Sequence, residues 1–370
     1  MVYSPSWRKG IGEVKRCFDN LGLEVQGPQF LQHGQHLALP NAPIVLIACS
    51  GGRDSLALTA LAVKVCASRG IRCAVVIVNH NMQEGSAKVA QNAANTVASL
   101  GVDKSLIFVK SVQVKDGEKG EESAARDARY TAIIGVAKYL GASAVLLAHT
   151  ADDQAETVII GLRDSAGLEA VAGMKNITVR CGIRFARPLI NIRRLETTNI
   201  CKDLGIEWWD DPTNGDLTQS DVELPKSYPL RSRIRHTLMP YISGFFATDM
   251  TLLLAKGAKF AQDDLDYINS QVDVIEKETI LKQNYDSCAH EVKIAISPLT
   301  KQHTSIRRRI IARALTAAGI RFSSNHIESI DELITKWHGQ KPVALPGGYA
   351  ASRKSQTITI CAHTPTCLSA

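Results

Sequence analysis

From residue 44 the chain alternates short continuous apolar runs with stretches in which apolar residues recur every three or four positions. Ile44-Val45-Leu46-Ile47-Ala48-Cys49 is apolar throughout, as expected of a strand covered on both faces. Leu58, Leu61, Ala62 and Val65 follow at helical spacing, and Gly70 closes that helix. The same alternation predicts strands at 73–78, 106–109 and 144–148. Helices are marked by Val89, Ala93, Val97 and Leu100, by Tyr130, Ile133, Ile134 and Ala137, and by a run over about 151–162. This order predicts an α/β domain with a doubly wound, mostly parallel sheet over 43–212. A short helix at 11–21 and a Gly/Pro/Gln-rich connector form an N-terminal extension, 1–42.

After residue 212 the pattern changes. Residues 213–248 read as a loop-rich insert followed by a basic helical segment, with entry to the helix near Ser232. Residues 249–283 read as one long charged helix, a linker into a smaller α+β region that completes 249–370. Helices are expected at 305–318 and 325–337, and strands at 342–345 and 356–361 on either side of Leu345-Pro346-Gly347-Gly348.

In such sheets ligands gather at the carboxyl ends of strands, so the residues that follow each strand carry the chemistry. The first strand runs into Ser50-Gly51-Gly52-Arg53-Asp54-Ser55 and a helix. Two glycines let backbone N–H groups approach an anion, two hydroxyls add donors, and the helix N-terminus adds partial positive charge. A bare tight turn, capped by Ser50 or Asp54, is the plainer alternative. The Walker pattern and G-x-G-x-x-G are both absent from the sequence. S-G-G-x-D-S in this setting resembles the pyrophosphate-loop enzymes, the N-type ATP pyrophosphatases, whose sheet is of the adenine nucleotide α hydrolase type. The resemblance implies ATP as cosubstrate, gripped by Ser50, Gly51, Gly52, Arg53 and Ser55, with Asp54 helping to hold Mg²⁺ on the triphosphate.

The fourth strand leads into Ala148-His149-Thr150-Ala151-Asp152-Asp153-Gln154-Ala155-Glu156-Thr157. Thr150 with Asp153 has the form of a helix capping box, which leaves His149 and Glu156 unexplained. A His and several carboxylates at a strand's carboxyl end suit metal, amine or proton-transfer chemistry. The segment from His149 to Glu156, continued by Leu162-Arg163-Asp164 and Gly167 to Met174, resembles the tRNA(Ile)-lysidine synthetase family. Further matches come in family order: Asn79-His80 with Glu84-Gly85-Ser86, Glu122 with Arg126 to Tyr130, Arg187-Pro188-Leu189, Asp210 to Asn214, and Arg231-Ser232-Arg233-Ile234-Arg235-His236. The resemblance spans about 43–360. Asn79, Thr150 and Ser232 depart from the residues usual at those places.

That family adenylates O2 of the wobble cytidine in the isoleucine tRNA with anticodon CAU, and free L-lysine then displaces AMP. The codon read changes from AUG to AUA. By resemblance, Arg129 contacts the ATP phosphates or the adenylate, while His149, Asp153 and Glu156 bind or deprotonate lysine and position the cytosine, the base being any of the three. The need for a base is general, since roughly one lysine amine in 2,500 is unprotonated at pH 7. The resemblance also places Arg231, Arg233 and Arg235 against substrate and nucleotide, a solvated basic face being the plainer alternative. The rival readings are a tRNA thiolase, which would call for a Cys-x-x-Cys pair that this sequence lacks, and an inactive tRNA-binding homologue.

Charge and cysteines sharpen this picture. The chain of 370 residues has a net charge of +7, and residues 301–370 hold ten Lys or Arg against three Asp or Glu, so the remainder balances at 33 against 33. A locally basic region fits a polyanion, and Arg307, Arg308 and Arg309 are expected to meet tRNA phosphates. The nine cysteines show no zinc-ribbon or thioredoxin spacing, which suits reduced thiols in a cytoplasmic protein. With 45% apolar residues, no long uncharged apolar run and no apolar run behind the N-terminal charges, neither a membrane span nor a signal peptide is expected. A homodimer is compatible with the sequence.

Overall fold

The computed structural model describes residues 4–32, 37–79, 85–112, 121–164, 167–215, 218, 222–284 and 291–362. His80 and Glu84 of the sequence motifs lie outside them, as do Ser165, Ala166 and part of the insert after Gly215. By contacts the chain divides into two compact units, Met1–Gln262 and Asp263–Ala370.

The first unit opens with α1 (Pro5–Asn20) and alternates β1 (Ile44–Cys49), α2 (Arg53–Arg69), β2 (Arg72–Asn79), α3 (Ser86–Ser99), β3 (Ile107–Ser111), α4 (Glu121–Leu140), β4 (Ala144–Leu146) and α5 (Ala151–Asp164). It continues through α6 (Leu168–Val171), β5 (Ile177–Arg180), β6 (Ile183–Ala186) and α7 (Arg194–Asp203). Strand order is β3-β2-β1-β4-β6-β5, parallel except for the β5–β6 hairpin. The expected doubly wound sheet is therefore present. Val45, Leu46 and Ile47 are fully buried because helices cover both sheet faces. Strands 2 and 3 lie to one side of β1 and β4 to the other, in register Val45↔Ala144 to Ile47↔Leu146. The crevice beyond the carboxyl ends of β1 and β4 is thus the switch point at which such sheets bind ligands.

The N-terminal segment is part of this core. Trp7, Val14 and Phe18 are buried in the same cluster as Leu58, Leu61 and Ile200. Arg69 donates to Leu23 O (2.7 Å) and Asp19 (2.7 Å), and Arg184 donates to Leu21 O (3.0 Å).

After α7 come α8 (Leu230–Arg233), a π-helical turn over Ile234–Leu238, α9 (Met239–Phe245) and α10 (Met250–Thr279). The long helix ends at Thr279, and residues 280–283, read as helix from the sequence, belong to β7 (Ile280–Asn284). No single helix among the described residues is long and apolar enough to cross a membrane.

The second unit holds β7, β8 (Glu291–Ala295), α11 (Thr304–Ala317), α12 (Ser324–Thr335), β9 (Val343–Leu345), β10 (Tyr349–Lys354) and β11 (Thr357–Ala362). Its strands form an antiparallel sheet in the order β7-β8-β11-β10-β9. Leu345-Pro346-Gly347-Gly348 is the β9–β10 connection, where both glycines take positive φ (74° and 76°). The strand that follows this turn is β10, and the expected strand at 356–361 is the next one, β11.

Arg307 sits on α11 with its guanidinium buried. It donates to Asp331 on α12 (2.6 and 3.1 Å), to Gln302 O and to Thr304. This guanidinium is committed inside the fold, which corrects the expectation that it meets a tRNA phosphate. Arg308 is exposed and 3.2 Å from Glu328, while Arg309 donates to Ser305. We expect Arg307→Ala to cost about 3–5 kcal/mol by stranding Asp331, read as a fall in the unfolding midpoint of the second unit. It should leave the salt slope of tRNA binding unchanged, whereas Arg308→Ala should lower that slope by about one counterion.

Candidate active site

The loop between β1 and α2 is shaped by Gly51 and by Ser55. Gly51 has φ +82°, and a Cβ there would lie 3.0 Å from that of Ala93, so any side chain meets backbone strain and a tight contact. Ser55 ties the loop together: its Oγ accepts from Ser50 N (3.1 Å), lies 3.3 Å from Ser50 Oγ and donates to Gly52 O (2.8 Å). Trp209 N closes the far side by donating to Gly51 O (3.1 Å). The N-cap of α2 is Gly52, in extended conformation, rather than Ser50 or Asp54. That leaves Asp54 in the first turn, beside N–H groups that have no intrahelical acceptor. The arrangement is an anion cradle with one carboxylate at its lip.

The loop after β4 carries the second group. Thr150 and Asp153 form the predicted capping box: Asp153 Oδ2 accepts from Thr150 N (2.8 Å) and Oγ1 (2.9 Å), and Asp153 N donates to Thr150 Oγ1 (3.3 Å). The other oxygen of Asp153 faces the site, 3.0 Å from Arg194 and 3.6 Å from Arg235. Glu156, one turn into α5, is 1% exposed, which an ionised carboxylate tolerates only with partners. Arg235 supplies them at 2.7 and 3.2 Å, with Arg231 at 3.7 Å and Arg194 at 3.6 Å. Arg231 and Arg235 reach Glu156 together because they are four residues apart on one helical face, and because Ile234 and Met239 pack on Ala155 of α5. Arg233 lies round the helix from both and makes none of these contacts. Ser232 is buried and donates to Thr213 O (2.8 Å), fastening the Asp211-Pro212-Thr213-Asn214 turn to the same helix.

Charge states follow from burial and neighbours. Burial alone raises the Asp153 carboxyl, but Arg194, His149, the cap N–H and Arg235 outweigh it and hold it down to about 2. Burial lifts Asp54 and Glu156 above the usual carboxylate range, against the pull of Arg194 on the first and Arg235 on the second. His149 is pushed down to about 4 chiefly by burial, which together with Arg187, Arg129 and Arg231 outweighs the opposing pull of Asp153. Its Nδ1 is buried with no hydrogen-bond partner among the described residues. We expect an NMR titration to keep this imidazole neutral down to about pH 4. Between that pH and the ordinary 6.5 the unfolded chain binds the proton and the native one does not, so this group's contribution to stability rises with pH across that window. A midpoint near 6.5 would mean that the ring is solvated.

Arg129, on α4, is partly buried, its guanidinium 5.9 Å from the Tyr130 ring centre and near enough to His149 to bear on its charge. Beside the carboxylates opens a cavity of about 460 Å³ whose lining includes Asp152, Glu156, Arg193, Arg235, Ser243 and Asp249. The crevice thus joins an anion cradle, a cluster of carboxylates and a pocket bearing both signs of charge.

Comparison with known proteins fits this geometry. Residues 27–242 match the PP-loop domain family, and residues 295–359 match the TilS substrate binding domain. The chain is 45% identical over 384 residues to a tRNA(Ile)-lysidine synthase of Bifidobacterium longum (strain DJO10A), covering 98% of each chain. The chain belongs to the tRNA(Ile)-lysidine synthase family. A member from Bifidobacterium animalis subsp. lactis (strain AD011) is also 45% identical, over 98% of this chain and 96% of its own. One from Streptomyces coelicolor is 35% identical, over 87% and 86% respectively.

For a lysidine synthase, the residues that the sequence missed are Arg193, Arg194 and Thr197 at the start of α7. Thr197 Oγ1 donates to Asp54 Oδ1, and Arg194 lies 3.4 Å from Asp54 Oδ2. Arg193 pairs with Asp152 (3.2 Å) and with Asp249. Their signal was the strand before them. Reading past the end of β6 leads through Arg187-Pro188-Leu189 to α7, but Ile183–Ala186 carries Arg184 and is too short to stand out as an apolar run.

Proposed function

We propose that this chain joins free L-lysine to C2 of the wobble cytidine of the isoleucine tRNA bearing CAU, with ATP cleaved to AMP and pyrophosphate. The ligase reaction on tRNA(Ile) is the activity its family relatives are named for. The observation that carries the reading is the meeting of cradle and carboxylates at one switch point, with Asp54 tied to Asp153 and Glu156 through Arg194. A phosphate-bearing group held at Gly51-Gly52 then lies next to groups that handle an amine.

The cradle fits the ATP phosphates through the first-turn N–H groups of α2 and the Ser50 and Ser55 hydroxyls. Mg²⁺ fits as well: it takes one or two carboxylates and completes its shell with phosphate oxygens and water, and Asp54 is the carboxylate at the lip. Bound there, the ion would offset charge on the triphosphate. Arg129 and the Arg231–Arg235 pair supply the positive charge that a phosphorylated cytidine oxygen needs.

Lysine enters the cavity beside Glu156, where Asp152 and Asp249 suit an ammonium and Arg193 a carboxylate. Among the three candidate bases, Asp153 is held strongly acidic by its cap and ion pairs and serves as an anchor. His149 is neutral and suited to hydrogen-bond the cytosine. Glu156, whose proton affinity burial raises, takes the proton from the attacking amine. Nitrogen then bonds to C2 and the C2–O bond breaks, AMP leaving with its electron pair.

Mass spectrometry of the wobble nucleoside tests the reading. The chain is incubated with Mg-ATP, lysine and CAU-bearing isoleucine tRNA, with methionine tRNA as control. Lysidine in the first tRNA only is expected. ATP turnover without lysidine would overturn the substrate assignment and make thiolation the next assay.

A further inference from the structure

Asp54, Asp153 and Glu156 come from two helices, α2 and α5, that follow different strands of the sheet. Three carboxylates crowded into a buried crevice repel one another and resist ionisation unless positive charge lies among them. Arg53 approaches Asp54 (4.0 Å), while Arg231 and Arg235 approach the α5 carboxylates. Arg194 touches both groups. Its guanidinium, 13% exposed, lies 3.4 Å from Asp54, 3.0 Å from Asp153 and 3.6 Å from Glu156. Its own backbone is anchored too, since Arg194 N donates to Asp152 Oδ2 (2.7 Å). The neighbouring Arg193 fork grips the same carboxylate (3.2 Å), so the first turn of α7 is fixed to the first turn of α5. The planar guanidinium presents several donors in a fixed plane, which a flexible ammonium cannot reproduce.

We propose that Arg194 is a positioning residue that holds the nucleotide side and the amine side of this site in one register. It acts through Asp54 on the first and through Asp153 and Glu156 on the second. The proposal rests on the reading under Proposed function. Its signature is that one substitution disturbs two substrates that bind in different places. A residue that merely stabilised the fold would lower the amount of active enzyme and leave both half-saturation constants where they were.

The test is the initial rate of lysidine formation at saturating tRNA, with ATP and lysine varied in turn, for the unaltered chain, Arg194→Met, Arg194→Lys and Thr197→Val. Arg194→Met should raise the half-saturation of both ATP and lysine by roughly tenfold and lower kcat as well. Arg194→Lys keeps the charge without the fork and should recover part of both losses. Thr197 touches Asp54 and none of the α5 carboxylates in the contacts above, so Thr197→Val should move the ATP constant and spare the lysine constant. If Arg194→Met shifts one constant only, or neither, Arg194 does not couple the two sides. Should Arg194→Met fail to fold by circular dichroism, Arg194→Lys decides: both constants shifted by about threefold supports the role, and both unchanged overturns it. If the unaltered chain makes no lysidine, the functional reading falls and the proposal with it. A normal unaltered chain beside unmoved variants sinks the proposal alone.

Discussion

Asp54→Ala should reduce pyrophosphate release by roughly a thousandfold or more while changing tRNA affinity less than about threefold. Asp54 sits in the first turn of α2, at the lip of a cradle otherwise built from N–H and hydroxyl donors. Removing it takes away the carboxylate that we propose holds Mg²⁺ against the triphosphate, and it releases Thr197 and Arg194 from their shared partner. Thr197 and Arg194 both belong to the first unit, and the excess of basic residues lies in the second. Pyrophosphate release by a coupled assay, with tRNA retention on filters as the companion measurement, separates the effects. Turnover near normal would remove Asp54 from the nucleotide site.

Glu156→Gln should divide the reaction in two. The amide fills the same space but cannot take a proton, so one equivalent of pyrophosphate should still appear while lysidine formation falls by about 10²–10⁴-fold. The adenylated tRNA should accumulate enough to be seen by mass spectrometry. The substitution also removes the charge that Arg231, Arg235 and Arg194 share, so the unfolding midpoint should fall as well. Loss of the pyrophosphate burst along with lysidine would place Glu156 in the adenylation half. A normal lysidine rate would end its role as the base.

The two strands that carry the site were legible because both of their faces are buried. β1 and β4 read as uninterrupted apolar runs because helices cover the sheet above and below, and the residues just beyond them held the cradle and the carboxylates. Two half-wet strands of the second unit hid. Glu291–Ala295 alternates polar with apolar positions, and Tyr349–Lys354 runs from Tyr-Ala-Ala into Ser-Arg-Lys, so neither stands out as an apolar run. The same blindness concealed β6 and, with it, Arg194. Three arginines in a row suggested a phosphate-binding surface, but successive helical residues point about 100° apart. Arg307, Arg308 and Arg309 therefore have three different fates, and the first is inside. The paired Arg231 and Arg235 show the converse, since a spacing of four puts both on Glu156.

The N-terminal segment has a practical consequence for anyone cutting this protein into pieces. The PP-loop family match starts at residue 27, which invites a fragment that begins there. Such a fragment would uncover Leu61 and Ile200, against which Trp7, Val14 and Phe18 pack, and would leave the Arg69 guanidinium without Leu23 O and Asp19. Arg69 is the last residue of the helix whose first turn carries Asp54. A nucleotide-binding fragment that stays soluble therefore has to start upstream of Pro5, and a protease nick after α1 should be followed by aggregation rather than by release of a folded ATP-binding piece.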